Sequence, residues 1–209
     1  MIGNEHKALG QISDLLILNT SCLPDLGLYG GKMGIAIFFA HYARYTKQDV
    51  YLDFVYSLVE EVFDELHTSH AYNLDVGLSG IGWAVNYLLS HHFLLGESND
   101  VLKDLDQALM QYDVRRINDL SLDTGVKGIA FYVFSRLNNQ IGGSEQIFDH
   151  LFLSDLMNVV NKRDGSCMNS SNLPDFLTGK NICPDITWSK MPLGLKNGLA
   201  GYGLKLMGV

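Results

Sequence analysis

Four short segments built on one glycine pattern constrain this chain more than any other feature: GKMGIAIFFAHY from Gly31, GLSGIGWAVNYLL from Gly77, GVKGIAFYVFSRL from Gly125 and GLAGYGLKLM from Gly198. Each has Gly, two variable residues, a second Gly, Ile or Tyr, then Ala or Gly, and each runs on into an apolar stretch. Their starts lie 46, 48 and 73 residues apart. Two near-equal steps of this size suit an array of helix pairs, one pair per repeat. The apolar runs are longer than most strands, which favours helices over a β reading.

Between the glycine segments the pattern is that of amphipathic helices. From Asp49 to His67, Val55, Leu58, Val59, Val62, Phe63 and Leu66 recur at spacings of three and four, while Asp53, Ser57, Glu60, Glu61 and Asp64 hold the opposite face. Val101 to Tyr112 repeats the arrangement behind the cap candidates Ser98 and Asn99, as does Ile147 to Val159 behind Ser144. The stretch from Asn4 to Leu18 is read as a fourth such helix. The runs after the glycines are apolar almost all the way round, as helices buried on most sides are. Alternating half-polar and wholly apolar helices predict an all-α fold: a toroid-type α/α array of helix pairs, forming a partial or small α/α barrel in a single domain over residues 1–209. Residues 162–194 lack periodicity, carry most of the prolines and read as an irregular insertion over one mouth of the barrel or against a partner.

Charge narrows the function classes. With Lys and Arg at 15 against 23 Asp and Glu, the formal charge is -8, opposite to what nucleic acid or an acidic membrane face attracts. No apolar run has the length of a membrane span, and the N-terminus lacks the pattern of a signal peptide, so a cytoplasmic location is expected. Cys22, Cys167 and Cys183 are odd in number and widely spaced, which suits reduced thiols.

The segments GLSGIGWAV from Gly77 to Val85 and LGLKNGLAGYGLKL from Leu193 to Leu206 resemble the repeats of the lanthionine synthetase C-like family, and GVKGIAFYVF stands where a further one would. The likeness covers the chain apart from the stretch between Asn161 and Pro192. It implies an α/α toroid and a role in maturing ribosomally made peptides, where family enzymes add a Cys thiol to a dehydrated Ser or Thr. In the family that chemistry uses zinc held by two cysteines and a histidine, from a Cys-Gly and a Cys-His-Gly motif in the later repeats. A zinc-bound thiol is deprotonated near neutral pH and becomes the nucleophile. Here Cys22 stands in SCLPD, Cys167 in GSCMNSS and Cys183 in NICPD, so neither motif is present. No zinc or other cofactor is therefore expected, and the part of the family chain that carries the metal is expected to be missing beyond Val209. The implied partners are a peptide substrate or a peptide-modifying enzyme. Four helix pairs are fewer than a family barrel uses, which predicts an open arc whose exposed inner helices pair two chains into a homodimer.

Site candidates follow from position. Asp25, Asp75 and Asp123 stand two residues ahead of Gly27, Gly77 and Gly125. They read either as helix caps or as carboxylates converging at one end of the array, where they could move a proton. Asp123, with Asp75, is the catalytic candidate, because family members carry an acidic residue ahead of the corresponding repeat. His41, Trp83, Tyr87 and Tyr132 lie on inner helices and are candidates for lining a cavity or a peptide-binding wall, with core filling as the alternative. His67, His70, His91 and His92 read as helix-end residues rather than metal ligands. The glycines let neighbouring inner helices approach closely, and they leave first-turn N–H groups open to a ligand or to a turn from the preceding loop. The expected function is that of a noncatalytic or degenerate member binding a peptide or an enzyme. The alternatives are an active peptide cyclase, or a barrel using Asp75 and Asp123 as acid and base on another substrate such as a glycan.

Overall fold

Every glycine segment opens a helix in the same way, and the reason lies in the loop before it. The computed structural model describes residues 2–67, 70–139, 146–163, 174–178 and 191–209. Gly31, Gly77, Gly125 and Gly198 are all extended N-caps, with φ between -102 and -121°. The next residue's N–H donates to the carbonyl seven positions back: Lys32 to Asp25 at 2.8 Å, Leu78 to Ala71 at 2.8 Å, Val126 to Asp119 at 2.9 Å and Leu199 to Pro192 at 2.8 Å. The loop thus folds over the helix start and takes up donors that a helix cannot satisfy itself. A Cβ on any of the four would meet the backbone of that loop. Of the two partners expected for these first-turn N–H groups, a ligand or the preceding loop, the loop is the one present at all four starts.

The helices that follow are α1 (Ile2–Thr20), α2 (Lys32–Thr46), α3 (Val50–Glu65), α4 (Leu78–Ser90), α5 (Ser98–Val101), α6 (Lys103–Met110), α7 (Val126–Asn138), α8 (His150–Arg163), α9 (Asp175–Thr178) and α10 (Leu199–Met207). A single 3-10 turn, Val114–Arg116, stands between α6 and α7. The described residues contain no strand, so the fold is an all-α helical array. No described helix is long and apolar enough to cross a membrane. The contrast between helix classes is plain in burial. Leu78 to Leu89 of α4 are buried without interruption, whereas α3 buries only Val55, Leu58, Val59 and Val62.

The chain divides into two compact units, Met1–Leu66 with Asn172–Val209, and His67–Ser171. In the first, α2 packs on α3 and α10, and α1 packs on α2 and α10. The first and last glycine helices are therefore direct neighbours within this unit. Lys32, 3 % exposed, opens α2 and reaches Glu61 at 2.7 Å and Glu65 at 3.1 Å on α3. Part of the expected irregular insertion is also ordered on this unit: α9 follows Pro174, buries Leu177 and Thr178, and packs on α10. In the second unit α4 packs on α6 and α7, and α7 on α8.

Two cap assignments change. The helix expected behind Ser98 and Asn99 starts at Ser98 itself behind Glu97, and breaks at Leu102 into α5 and α6. The helix expected behind Ser144, which lies outside the described residues, starts at His150, because the Asp149 carboxylate accepts the Phe152 N–H at 2.7 Å.

The two units repeat one packing rule. The third glycine of the second segment, Gly82, has the Tyr132 ring of α7 where a Cβ would go, at 2.6 Å. The third glycine of the fourth, Gly203, has the Phe38 ring of α2 there, with Cδ2 at 2.9 Å. Tyr132 and Phe38 occupy the same place in their own segments, seven residues past Gly125 and Gly31. A direct test contrasts two glycines. Gly198→Ala forces a Cβ against Pro192 O at 2.7 Å and is expected to lower stability by about 1–3 kcal/mol in urea unfolding. Gly10→Ala, inside α1 with nothing within 4 Å, is expected to raise it by about 0.5–1 kcal/mol.

Candidate functional site

The loops that cap the glycine helices also join in pairs. In the second unit the N–H groups of Leu74 and Asp75 donate to the Asp123 carbonyl at 2.9 and 3.1 Å. In the first, those of Leu195 and Lys196 donate to the Tyr29 carbonyl at 2.7 and 3.1 Å. The residue two ahead of the glycine is thus Asp75 beside Asp123 in one unit, and Lys196 beside Tyr29 in the other. There the Lys196 ammonium lies 4.2 Å from the Tyr29 ring centre. The junction brings the backbones of the two catalytic candidates together, and both residues are half-buried. The Asp75 carboxylate accepts the Val76 N–H at 2.8 Å.

Asp25 belongs to a different position. It stands six residues ahead of Gly31, as Asp119 does ahead of Gly125, and both shape their own loops. Asp25 accepts the Gly27 N–H at 2.8 Å. Asp119 accepts the Thr124 hydroxyl at 2.5 Å, the Ser121 N–H at 2.7 Å and the Ser121 hydroxyl at 3.0 Å. These bonds, the Thr124 hydroxyl foremost, hold the Asp119 carboxyl below the usual carboxylate range.

The aromatic candidates sit in the core of the second unit. Trp83 is 2 % and Tyr87 5 % exposed. Trp83 stacks on Tyr87 at 5.3 Å and on Phe131 of α7 at 5.5 Å, and Tyr87 stacks on His91 at 4.0 Å. His91 caps the end of α4, its Nδ1 lying 2.9 Å from the Tyr87 carbonyl. His41 is the half-buried position within the otherwise buried run from Lys32 to Ala43 of α2. His70 Nδ1 accepts the His67 N–H at 2.9 Å. Cys22 is exposed, and Cys167 and Cys183 lie outside the described residues.

Tyr132 belongs to a buried polar network. Its hydroxyl donates to Asp106 Oδ1, and Arg136 donates to Asp106 Oδ2 from Nη2 at 2.8 Å and from Nε at 3.2 Å. Asp106 lies on α6, and the other two on α7. Asp106 is 2 % and Arg136 1 % exposed. Arg136 also donates to Ser98 Oγ at 3.2 Å and Asn99 Oδ1 at 3.4 Å, so the residues expected to cap a helix serve as acceptors for a guanidinium. Burial raises the Asp106 carboxyl above its ordinary value against the opposing pull of Arg136. It also raises the Tyr132 phenol, with the Asp106 charge adding to the effect. Asp106 and Arg136 border a cavity of about 150 Å³, together with Lys103 and Gln146. With both carboxylate oxygens engaged, the network is built to join α6, α5 and α7.

A sequence-family model described as lanthionine synthetase C-like protein matches residues 24–165, more than half of the chain. No curated protein matches it. The matched span holds the first three glycine segments, and the fourth, outside it, repeats their cap geometry.

Proposed function

The chain belongs to the lanthionine synthetase C-like family, which associates it with peptide modification, and on that premise we propose that it acts in the cytoplasm as a noncatalytic or degenerate member that binds a peptide or a peptide-modifying enzyme. The observation that carries this reading is how the polar groups are employed. Loop carbonyls take up helix-start donors in all four glycine segments, the Asp75 carboxylate accepts from its own loop, and Asp106 is saturated by Tyr132 and Arg136. The family's zinc needs two thiolates and an imidazole. Among the described residues, no three His, Cys, Asp or Glu side chains are grouped to hold a metal ion.

A second reading, Asp75 and Asp123 serving as acid and base on another substrate such as a glycan, is favoured by the junction that hydrogen-bonds their backbones at the starts of α4 and α7.

The test is chemical. Purified chain, supplied with zinc and a peptide bearing one dehydrated Ser and one Cys, is expected to bind the peptide, leave its thiol titratable and retain less than stoichiometric zinc after dialysis. Consumption of the thiol, with stoichiometric zinc lost in Cys167→Ala or Cys183→Ala, overturns the noncatalytic reading.

A further inference from the structure

The second unit holds another cavity, of about 570 Å³, where α4 and α7 end. Asn86 of α4 borders it while being only 1 % exposed. Its Nδ2 donates to Ser135 Oγ on α7 at 2.9 Å, but its Oδ1 accepts no hydrogen bond from the described residues. Leaving a buried amide oxygen without a donor is unfavourable, and natural interiors rarely do it without a purpose. Turning the amide over would leave Nδ2 in the same place, so the wall asks for one polar partner in either orientation.

The remaining lining defines what that partner looks like. Asn99, Asn138, Asn139 and Ser98 each carry both a donor and an acceptor, Glu97 adds a carboxylate, and Leu89, Leu94 and Leu95 supply an apolar side. Among the described residues the lining includes no Lys or Arg, which with the Glu97 carboxylate disfavours phosphate or carboxylate ligands, and no Trp, Tyr or Phe on which a sugar ring would stack. The wall is also held in shape. Left-handed backbone at His92 (φ 58) and positive φ at Gly96 (134) bend the chain around the opening, and Arg136 fixes Ser98 and Asn99 from behind. Arg136 is a positioning residue here.

We propose that this cavity binds a peptide segment in which a carboxamide or hydroxyl side chain meets Asn86 and an adjacent apolar side chain packs on the leucines. The choice of a peptide rests on the peptide-binding reading above; the polar contact at Asn86 stands on geometry alone. A pocket of this size suits a few residues.

The experiment titrates the full chain with N-acetyl-leucyl-asparaginamide, N-acetyl-leucyl-leucinamide and maltotriose, following side-chain amide resonances by nuclear magnetic resonance. The asparaginamide is expected to shift the Asn86, Asn138 and Asn139 amides saturably, and to bind about tenfold more tightly than the leucinamide. Asn86→Leu is expected to abolish that preference, and Leu95→Ser, at a position 85 % exposed, to weaken binding about threefold with the fold intact. The proposal is overturned if the asparaginamide produces no saturable shift, if the leucinamide binds equally well, or if maltotriose alone binds. Neither peptide probe carries a Cys or a dehydrated residue, so such a failure leaves the outcome of the zinc and thiol assay unaffected.

Discussion

Replacing Arg136 with Met is expected to destabilise the protein by about 3–5 kcal/mol, because it leaves the Asp106 carboxylate in the core without its cation. Arg136 and Asp106 are 1 % and 2 % exposed and meet at 2.8 Å, so solvent cannot take over the lost contact. The variant should also change its dependence on pH in a defined direction. Burial already raises the Asp106 carboxyl, and removing the guanidinium raises it further. A carboxyl raised in the folded state holds its proton in a pH range where the unfolded chain, near 4, has released it. Its stabilising contribution is therefore complete below the unfolded value and is lost as pH rises through the folded one. Arg136→Met should thus approach the wild type at acid pH and fall furthest behind it near neutrality. Urea unfolding across that range measures this, and Asp106→Asn combined with Arg136→Met should recover most of the loss. A flat pH dependence of the single variant would show that Asp106 is not the group left behind.

Trp83→Ala should cost about 3–5 kcal/mol, the usual penalty for emptying a large aromatic site in a core. Trp83 is one of the largest fully buried side chains and is stacked on Tyr87 and Phe131, so it joins two turns of α4 to α7. Because part of that sum comes from ring contacts, a double-mutant cycle with Phe131→Leu should give a coupling of about 0.5–1.5 kcal/mol. Loss of helical circular dichroism in urea reads both numbers. A cost below about 1 kcal/mol would mean that the stack contributes little to holding α4 on α7.

The architecture could be read from residues because glycine spacing reports a steric fact. Only a residue without Cβ fits under the capping loop, so the four equivalent helix starts were visible in one dimension. Which loop residues correspond was harder. Asp25, Asp75 and Asp123 look alike when counted to the nearest glycine, but the carbonyl that caps the helix comes from six residues before it, which pairs Asp25 with Asp119. The buried network leaves a trace in the sequence. Asp106 occupies a place in the apolar stripe of Leu102, Leu105 and Leu109, and Arg136 ends the apolar run of α7. Two opposite charges, each set among hydrophobic positions, are what a buried pair looks like in sequence. Ser98 and Asn99 fit a local capping rule, which says nothing of a guanidinium arriving from a distant helix. The Asn86 cavity has no such trace, since its lining comes from α4, the α4–α5 loop, α5 and the end of α7, and only folding collects them.

The division of the chain also sets an order of events during synthesis. Residues 67–171 form one uninterrupted unit, whereas the other is assembled from Met1–Leu66 and Asn172–Val209. A ribosome therefore releases the whole of the uninterrupted part while α2 still waits for α10, the helix that covers its flank. Closing that gap brings together sequence separated by an entire intervening body, a slow step for any chain. In that interval the aromatic side of α2, with Phe38 at its centre, is the surface that a chaperone or a second nascent copy would grip first.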